Sequence, residues 1–355
     1  MATMFAASQK SLMLLALLGS ALISCARPPE SYRATIPAFG TLLNVTLPGV
    51  SSQEGDAIAR QIETELLDLH SRWHAWKPGE LSELNAALAQ GKSFEVSQPL
   101  LQVIQVSQVA YDKSQGLFDP AAGALIRMWG FHTDHYPVRG TAPVAEQIRA
   151  WLSQDVSFDQ LQVVGNTVGA ASHLVQLDFG GIAKGAALER LGSLLRERGV
   201  RAALLDFGGD VGVLGIISSD EWRVAIRHPS EPRPIATALV KTGEYIMTSG
   251  TYARYRESDG QPHLLNPESG LPAEGLVSAT VLHRSGSMAD AAATALVVAG
   301  PERWLEVAEA MGVGCALVVH EGGRVQATES INTRLSPNNS NAIDVVPTAA
   351  GTTTC

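Results

Sequence analysis

The sequence predicts an α+β fold in which helices are mixed with short strands that are mostly neighbours along the chain. Residues 53–70 carry Ile58, Ile62, Leu66 and Leu69 on one helical stripe, which predicts an amphipathic helix. From residue 161 onward, short apolar and β-branched runs are separated by Gly, Asn and Asp, which predicts strands joined by turns. Because helices and strands do not alternate regularly, the order favours α+β over a parallel βαβ sheet.

The other elements follow from the same two periodicities. Further helices are predicted at residues 81–88, 99–111, 182–198, 287–298 and 301–311. Ser97 is the candidate N-cap of the helix at 99–111. Strands are predicted at residues 39–47, 174–177, 202–205, 211–217, 222–226, 236–240, 276–282, 316–319 and 324–326.

The composition indicates a globular protein that does not bind nucleic acid. The chain has 355 residues, of which 45% are hydrophobic, so it can bury a substantial core. Its 26 Lys and Arg residues stand against 35 Asp and Glu residues, which gives a net charge of -9. Binding to a nucleic-acid backbone needs clustered positive charge, so nucleic acid is not expected as a partner. A metal site or a compact phosphate site is compatible with this charge.

The N-terminus resembles the signal of an exported lipoprotein. Lys10 precedes an apolar run at residues 12–18 that is too short to cross a bilayer as a permanent helix. Residues 22–25 read Leu-Ile-Ser-Cys, like a bacterial lipobox in which the thiol of Cys25 takes the lipid. Residues 1–25 are therefore predicted to be a lipoprotein signal peptide, and a lipid on Cys25 is predicted to anchor the protein to a bacterial membrane, facing the periplasm. A plainly cleaved signal and an unprocessed tether are the alternatives, and Ala26 leaves both the inner and the outer membrane open.

Three segments follow the signal. Residues 26–38 are predicted to be a linker and residues 39–327 to form one domain. Residues 328–355, rich in Ser, Thr, Asn and Pro, are predicted to be a disordered tail. Cys315 lies in an apolar run and is predicted to be a buried thiol, while Cys355 ends the tail. The cysteines thus predict neither a disulfide framework nor a metal cluster.

Common nucleotide-binding and hydrolase motifs are absent from the sequence. The glycines within residues 208–212 have the wrong spacing for Gly-x-Gly-x-x-Gly, which argues against a Rossmann site. Residues 91–93 resemble the end of a phosphate loop, but Ala86 stands where its first glycine belongs. Neither Gly-x-Ser-x-Gly nor His-Glu-x-x-His occurs, so serine hydrolases and zinc peptidases have no local support.

Asp290 and Thr294 lie four residues apart in an alanine-rich helix. This spacing places both side chains on one helix face, where their oxygens could bind one cation. The alanines around them would let another backbone approach closely. The alternative is a surface carboxylate that is stabilised by the dipole at the helix N-terminus.

Residues 177–185 predict a strand that passes through two glycines into a helix. Gly180 and Gly181 permit backbone contact with a ligand, and the helix N-terminus with Lys184 favours phosphate. The alternative is a tight turn in which Asp178 caps the helix.

Hydroxyl and imidazole groups occur in two later loops. Thr248 and Ser249 precede a glycine and can bind phosphate oxygens, and His263 can transfer a proton near neutral pH. Loops of this composition are also common as simple turns, and a histidine in such a loop is usually solvated.

Aromatic residues cluster near predicted helix ends. Trp73, Trp76, Phe118 and Trp129 could enclose a planar ring, with Asp119 accepting a hydrogen bond from its edge. The alternative is ordinary core packing.

Taken in their order along the chain, these segments resemble the ApbE family of FAD:protein FMN transferases from about residue 39 to residue 326. The matching segments are residues 39–41, 80–85, 114–120, 129–131, 177–185, 207–210, 248–250, 263–270 and 289–300. The resemblance implies an ApbE-like, T-fold-related architecture of helices and antiparallel sheets, with a flavin cleft between two parts of the fold.

The resemblance also implies a magnesium ion, with FAD as a substrate. The metal ligands would be the backbone carbonyl of Gly181, the carboxylate of Asp290 and the hydroxyl of Thr294, an all-oxygen set that suits magnesium. Ten residues would bind FAD: Phe39, Trp76, Leu117, Phe118, Asp119, Asp178, Lys184, Thr248, Ser249 and His263.

The implied reaction moves FMN from FAD to a Ser or Thr hydroxyl of an acceptor protein, forming a phosphodiester and releasing AMP. We hypothesise that His263, aided by Asp178, deprotonates that hydroxyl. The family suggests exported subunits of membrane redox complexes as acceptors. Two alternatives share the same pocket, namely a lipoprotein that stores FAD without transfer and a pyrophosphatase that yields FMN and AMP.

Three positions depart from the family pattern. Phe39 stands where many members have Met, and residues 73–76 replace a Ser-Thr-Tyr pattern. Both changes would alter how a ring stacks. Asn266 and Glu268 replace an Asp and an Arg after His263, which concerns the acceptor or adenine side of the site.

Overall fold

A nine-stranded sheet forms the centre of the fold in the computed structural model, which describes residues 31–215, 221–337, 342–348 and 355. In sheet order its strands are β1 (Ser31–Ala38), β2 (Thr41–Pro48), β6 (Ala203–Phe207), β7 (Asp210–Leu214), β10 (Tyr245–Gly250), β13 (Leu276–His283), β14 (Ala316–His320), β15 (Val325–Thr328) and β17 (Ile343–Val346). The last two strands pair in parallel, and the other neighbours pair antiparallel.

Smaller sheets and helices surround this sheet. The small sheets are β3 (Phe94–Glu95) with β5 (Thr167–Ala170) and β4 (Leu161–Val164), β16 (Leu335–Pro337) with β9 (Pro234–Val240) and β8 (Trp222–Arg227), and β11 (Leu265–Asn266) with β12 (Leu271–Pro272). The helices are α1 (Ser52–Trp73), α2 (Glu80–Leu88), α3 (Gln98–Lys113), α4 (Gly123–Met128), α5 (Ala145–Leu152), α6 (Ala183–Glu197), α7 (Gly286–Ala310) and α8 (Glu329–Asn332). The predicted mixture of helices and mostly antiparallel strands is therefore the one observed.

The two faces of the main sheet bury two separate cores. Helices α1, α3, α6 and α7 cover one face, and the β16–β9–β8 sheet covers the other. The alternation of β14 shows this division, since Ala316 and Val318 belong to the helical core while Leu317 and Val319 belong to the second core.

Helix α7 crosses the helical core. Its N-terminal half is rich in alanines that are fully buried, namely Ala289, Ala291, Ala292, Ala293 and Ala295. Gly300, with φ 73° and ψ −177°, interrupts the helical backbone. The two helices predicted at residues 287–298 and 301–311 are thus confirmed as the two halves of one kinked element.

The prediction of a linker at residues 26–38 is wrong for residues 31–38. Residues 31–38 form β1, which pairs with β2 along its whole length. Ile36 is the buried apolar residue of this strand, so the sequence carries little hydrophobic signal. Backbone hydrogen bonds to β2 hold an edge strand of this kind in place, and Pro37 is tolerated at an edge.

The predicted disorder of residues 328–355 is also wrong for the described part of that segment. Helix α8, β16 and β17 lie within it, and β17 adds to the main sheet beside β15. Cys315 and Cys355 form a disulfide, with Cα atoms 5.0 Å apart. The expected free thiol at Cys315 is therefore wrong, because a partner 40 residues away leaves no local sequence signal.

The strand predicted at residues 174–177 does not form. Gln176 makes one isolated bridge to Ala122, and the side chain of Asn85 takes the place of a neighbouring strand. Its Oδ1 accepts from the N–H of Leu177 at 2.7 Å and its Nδ2 donates to the carbonyl of Leu177 at 2.9 Å. The signal peptide and Cys25 lie outside the described residues, among which no helix has the length and apolar character needed to span a bilayer.

Candidate active site

The site is built where the N-terminal ends of α6 and α7 meet. Gly185 lies so close to the carbonyl of Gly286 that a Cβ atom would not fit between them. This approach brings the N–H of Gly185 to Oδ2 of Asp290, at 2.9 Å. Asp290 is 4% exposed, and burial raises the pKa of its carboxyl group against the opposing attraction of Lys184.

The three residues predicted to bind the metal lie close together at this junction. Asp290 and Thr294 lie one turn apart on α7, and a Cβ added to Gly181 would lie 3.1 Å from Oγ1 of Thr294 and 3.2 Å from the ring of Phe118. A side chain at position 181 would therefore fill the space between the turn and the helix. Among the described residues, no three His, Cys, Asp or Glu side chains are grouped so that they could hold a metal ion.

The side chains of Thr248 and Ser249 on β10, both predicted to bind FAD, lie on opposite faces of the sheet. The hydroxyl of Ser249 faces α7 and lies 3.0 Å from Oγ1 of Thr294. The hydroxyl of Thr248 lies 2.9 Å from that of Thr280, on the face that carries Ile246. Successive residues of a strand point in opposite directions, so the Thr248 side chain is not part of the group around Thr294.

Lys184 is held by a buried carboxylate. Its ammonium group pairs with Asp210, whose side chain is 2% exposed, while that of Lys184 is 27% exposed. The other oxygen of Asp210 accepts from the N–H of Thr248 at 2.8 Å, which ties the pair to β10. Burial lowers the pKa of Lys184, against the attraction of Asp290. The pair places a cationic group beside the first turn of α6, where an anion is favoured.

Asp178 organises the turn that leads into α6. Its Oδ1 accepts from the N–H of Gly180 at 2.7 Å, and its backbone N–H donates to the carbonyl of Pro120 at 2.8 Å. Its Oδ2 lies 3.0 Å from Nε2 of His132. Burial by itself raises the pKa of Asp178, but the hydrogen bonds from His132 and Gly180 outweigh it and lower the pKa.

Aromatic rings line one side of the site. The ring of Phe39 packs edge to face at 5.1 Å from His70, 6.2 Å from Trp73 and 5.6 Å from Phe207. Trp76 lies farther along this side and is 37% exposed. Phe39 is thus held by other rings, whereas Trp76 keeps surface available for a ligand.

The predicted segment at residues 117–119 packs its two apolar side chains into the core. The side chains of Leu117 and Phe118 are 1% and 4% exposed and belong to the helical core. Oδ1 of Asp119 accepts from the N–H of Ala121 at 2.8 Å. Burial raises the pKa of Asp119 to about 7, so this carboxyl group can be protonated near neutral pH.

His263 is oriented by the backbone of Arg254. The backbone N–H of His263 donates to the carbonyl of Arg254 at 3.1 Å, and the ring Nδ1 lies 3.2 Å from the same oxygen. A carbonyl only accepts, so Nδ1 carries the proton and Nε2 has the free lone pair. Burial, followed by the charge of Arg254, lowers the pKa of His263 to about 4, so the ring is neutral at pH 7.

Two polar side chains of the site were missed from the sequence. His132 follows the aromatic segment at residues 129–131 and had no local partner that would reveal its contact with Asp178. The guanidinium of Arg254 lies 5.4 Å from the ring centroid of Tyr136 and forms no ion pair with a carboxylate of the described residues. Its charge lowers the pKa of both His263 and Lys184, in addition to the effect of burial on each group.

Comparison with known proteins agrees with this geometry. A model of the ApbE family matches residues 39–317 of the 355-residue chain. The chain belongs to the ApbE family. The resemblance noted in the sequence is thereby confirmed. The matched span includes the positions of all residues predicted to bind metal or flavin.

Relatives of known sequence and structure support the ApbE assignment. A Rhodobacter capsulatus protein named FAD:protein FMN transferase is 41% identical over 313 residues, which cover 87% of this chain and 59% of that protein. A Vibrio cholerae protein of the same name is 29% identical over 326 residues, covering 89% of this chain and 96% of its own length. The crystal structure of the ApbE protein from Thermotoga maritima matches with a TM-score of 0.79 at 25% identity, covering 86% of this chain and all of that one. The predicted α+β, ApbE-like fold is therefore confirmed.

Proposed function

We propose that the chain transfers the FMN half of FAD to a Ser or Thr hydroxyl of an acceptor protein, releasing AMP. The names of its ApbE relatives support flavin transfer to protein. The observation that carries the proposal is the meeting of Gly181, Asp290 and Thr294 beside Lys184, at the junction of α6 and α7. The flavin ring would lie on the aromatic side of the cleft, and the diphosphate would lie at this junction.

The donor set fits a magnesium ion. Asp290 accepts from the N–H of Gly185, and its carboxylate keeps further lone pairs with which it would hold a cation, together with the hydroxyl of Thr294 and the carbonyl of Gly181. The absence of a side chain at Gly181 keeps the approach to Thr294 open. Oxygen ligands with few protein carboxylates suit magnesium, which binds substrate phosphates as well. Magnesium bound there would neutralise negative charge on the diphosphate.

Several residues of the chain are suited to bind FAD itself. Lys184 and Arg254 supply positive charge for the phosphates, and Ser249 supplies a hydroxyl next to Thr294. Trp76 offers the exposed aromatic surface on which a flavin ring can stack. These contacts would fix both ends of the FMN half.

His263 is suited to act as the general base. Its neutral ring presents Nε2, because Nδ1 donates to the carbonyl of Arg254. In the proposed step the acceptor oxygen forms a bond to the phosphorus on the FMN side, and its proton passes to Nε2. The bond from that phosphorus to the bridging oxygen breaks, and AMP leaves with that oxygen. Asp178, engaged by Gly180 and His132, would hold the turn rather than take the proton.

The test is to incubate the purified chain with FAD, magnesium and an exported redox-complex subunit as acceptor. Covalent flavin on a Ser or Thr of the acceptor, together with AMP in equal amount, is the expected result. Free FMN with AMP would show a pyrophosphatase, and unchanged FAD would show a carrier. The variant His263→Ala should bind FAD without transferring it, while His173→Ala, at an exposed position outside the site, should transfer normally.

We further propose that the protein is exported and anchored through a lipid on Cys25. The signal-like residues 1–25 support this, and so does the Cys315–Cys355 disulfide, since such bonds persist in oxidising compartments. Mass spectrometry of the mature N-terminus, with membrane fractionation in a bacterial host, tests the proposal. A lipidated Cys25 in the membrane fraction is expected, and Cys25→Ala should move the chain to the soluble fraction. An unmodified Cys25 in the parent would refute it.

A further inference from the structure

One histidine joins the aromatic side of the site to its acidic turn. The ring of His132 is stacked on the indole of Trp76, with centroids 4.7 Å apart and planes 17° apart. Nε2 of the same ring lies 3.0 Å from Oδ2 of Asp178. An ionised carboxylate only accepts, so Nε2 carries a proton and donates it to this bond. His132 thus contacts both partners through one planar group.

Main-chain hydrogen bonds hold both ends of this connection. At the acidic end, Oδ1 of Asp178 accepts from the N–H of Gly180, the neighbour of Gly181. At the aromatic end, Nδ1 of His74 accepts from the N–H of Trp76 at 3.4 Å and from that of Lys77 at 3.1 Å. Burial, followed by the charge of His70, lowers the pKa of His74 to about 4, which keeps Nδ1 free to accept.

The connection is shielded from water. The side chains of His132 and Asp178 are 11% and 9% exposed. A hydrogen bond to an ionised group is stronger where water does not compete for it. Trp76 itself is 37% exposed, so the sheltered pair supports a ring that still has an open surface.

We propose that His132 is a positioning residue, which holds the indole plane of Trp76 at a fixed place relative to the Gly180–Gly181 turn. A flavin ring stacked on Trp76 and a diphosphate at the turn would then be bound at a set separation. This inference rests on the proposed function and deepens it, because it explains how the two halves of one substrate are aligned for transfer. Stacking orients the indole, and the hydrogen bond to Asp178 ties that orientation to the turn.

Two variants separate these contacts. His132→Phe keeps a ring against Trp76 but removes the donor to Asp178, whereas His132→Gln keeps a donor and removes the ring. We expect His132→Phe to bind FAD with a Kd within about twofold of the parent and to lose about tenfold in kcat, as for a lost charge-assisted hydrogen bond. We expect His132→Gln to keep most of kcat at saturating FAD and to raise the Kd for FAD by up to about tenfold, as for a lost aromatic pair.

His135, exposed in the same loop, supplies the matched controls His135→Phe and His135→Gln, which should match the parent. Melting temperatures of all variants are measured, and kcat is expressed per folded molecule. The opposite effects of Phe and Gln at position 132 on Kd and kcat support the inference. Equal changes in both variants, or a lower melting temperature with unchanged Kd and kcat, would overturn it. If the parent binds FAD but transfers nothing, the proposed function fails, and the contrast between the two Kd values still decides the role of His132.

Discussion

The hydroxyl of Thr294 lies 3.0 Å from the hydroxyl of Ser249, which links helix α7 to strand β10 at the candidate metal site. The two residues are 45 positions apart in the chain, and neighbours of each are buried in the same helical core. Ser249 therefore contributes to the orientation of the oxygen that Thr294 would offer to a cation.

Removing the hydroxyl of Thr294 should weaken magnesium binding. Thr294→Val preserves the shape of the side chain but removes one of three proposed ligands, so the magnesium concentration for half-maximal transfer should rise about tenfold or more. Titration of transfer rate with magnesium at saturating FAD measures this. Thr280→Val removes a hydroxyl on the other face of the sheet and should leave the magnesium dependence unchanged. An equal shift in both variants would contradict the assignment.

Neutralising Asp290 should remove most of the stabilisation that added magnesium gives to the folded protein. Asp290→Asn keeps an oxygen that can accept from the N–H of Gly185, so the ligand-free variant should melt within a few degrees of the parent. Magnesium with FAD should raise the melting temperature of the parent, because ligands that bind only the folded state stabilise it. At a hundredfold excess over Kd, the gain in the free energy of unfolding is about 3 kcal/mol. The same additions should stabilise the variant much less, and thermal scans with and without magnesium compare the two. Full stabilisation of the variant would remove Asp290 from the metal site.

The transfer rate should stay high at a lower pH than it would if the general base were an exposed histidine. His263 acts as a base only when neutral, and its pKa of about 4 keeps it neutral through pH 5 and above. The rate should therefore fall only below about pH 5, provided that magnesium and FAD are saturating at each pH. An acidic midpoint near 6.5, the value of a solvated histidine, would show that His263 is not buried as described.

Breaking the disulfide should lower stability without changing the chemistry. Cys355→Ser opens the link across 40 residues and should reduce the free energy of unfolding by about 2–4 kcal/mol. Denaturant unfolding of the variant and of the parent in reductant should give the same midpoint. Transfer by the folded variant should be normal, because Cys315 lies in the core on the face of the sheet opposite Ser249. A loss of transfer at full folding would contradict this separation.

The parts of the site that could be predicted depend on local patterns. The four-residue spacing of Asp290 and Thr294, and the passage through Gly180 and Gly181 into a helix, place chemistry on elements that short-range periodicity defines. The edge strand at residues 31–38 escaped prediction, because a strand held by one neighbour needs no apolar pattern of its own.

The sequence by itself predicted the α+β class, the longer helices and the family, and it singled out Asp290, Thr294 and the Gly180–Gly181 turn as candidate site residues. Only the tertiary structure decided that Thr248 turns away from Ser249, that His132 joins Trp76 to Asp178, and that Cys355 returns to Cys315. The physical reason is that each of these relationships depends on packing or pairing between segments distant in the chain, which periodicity within one segment does not encode.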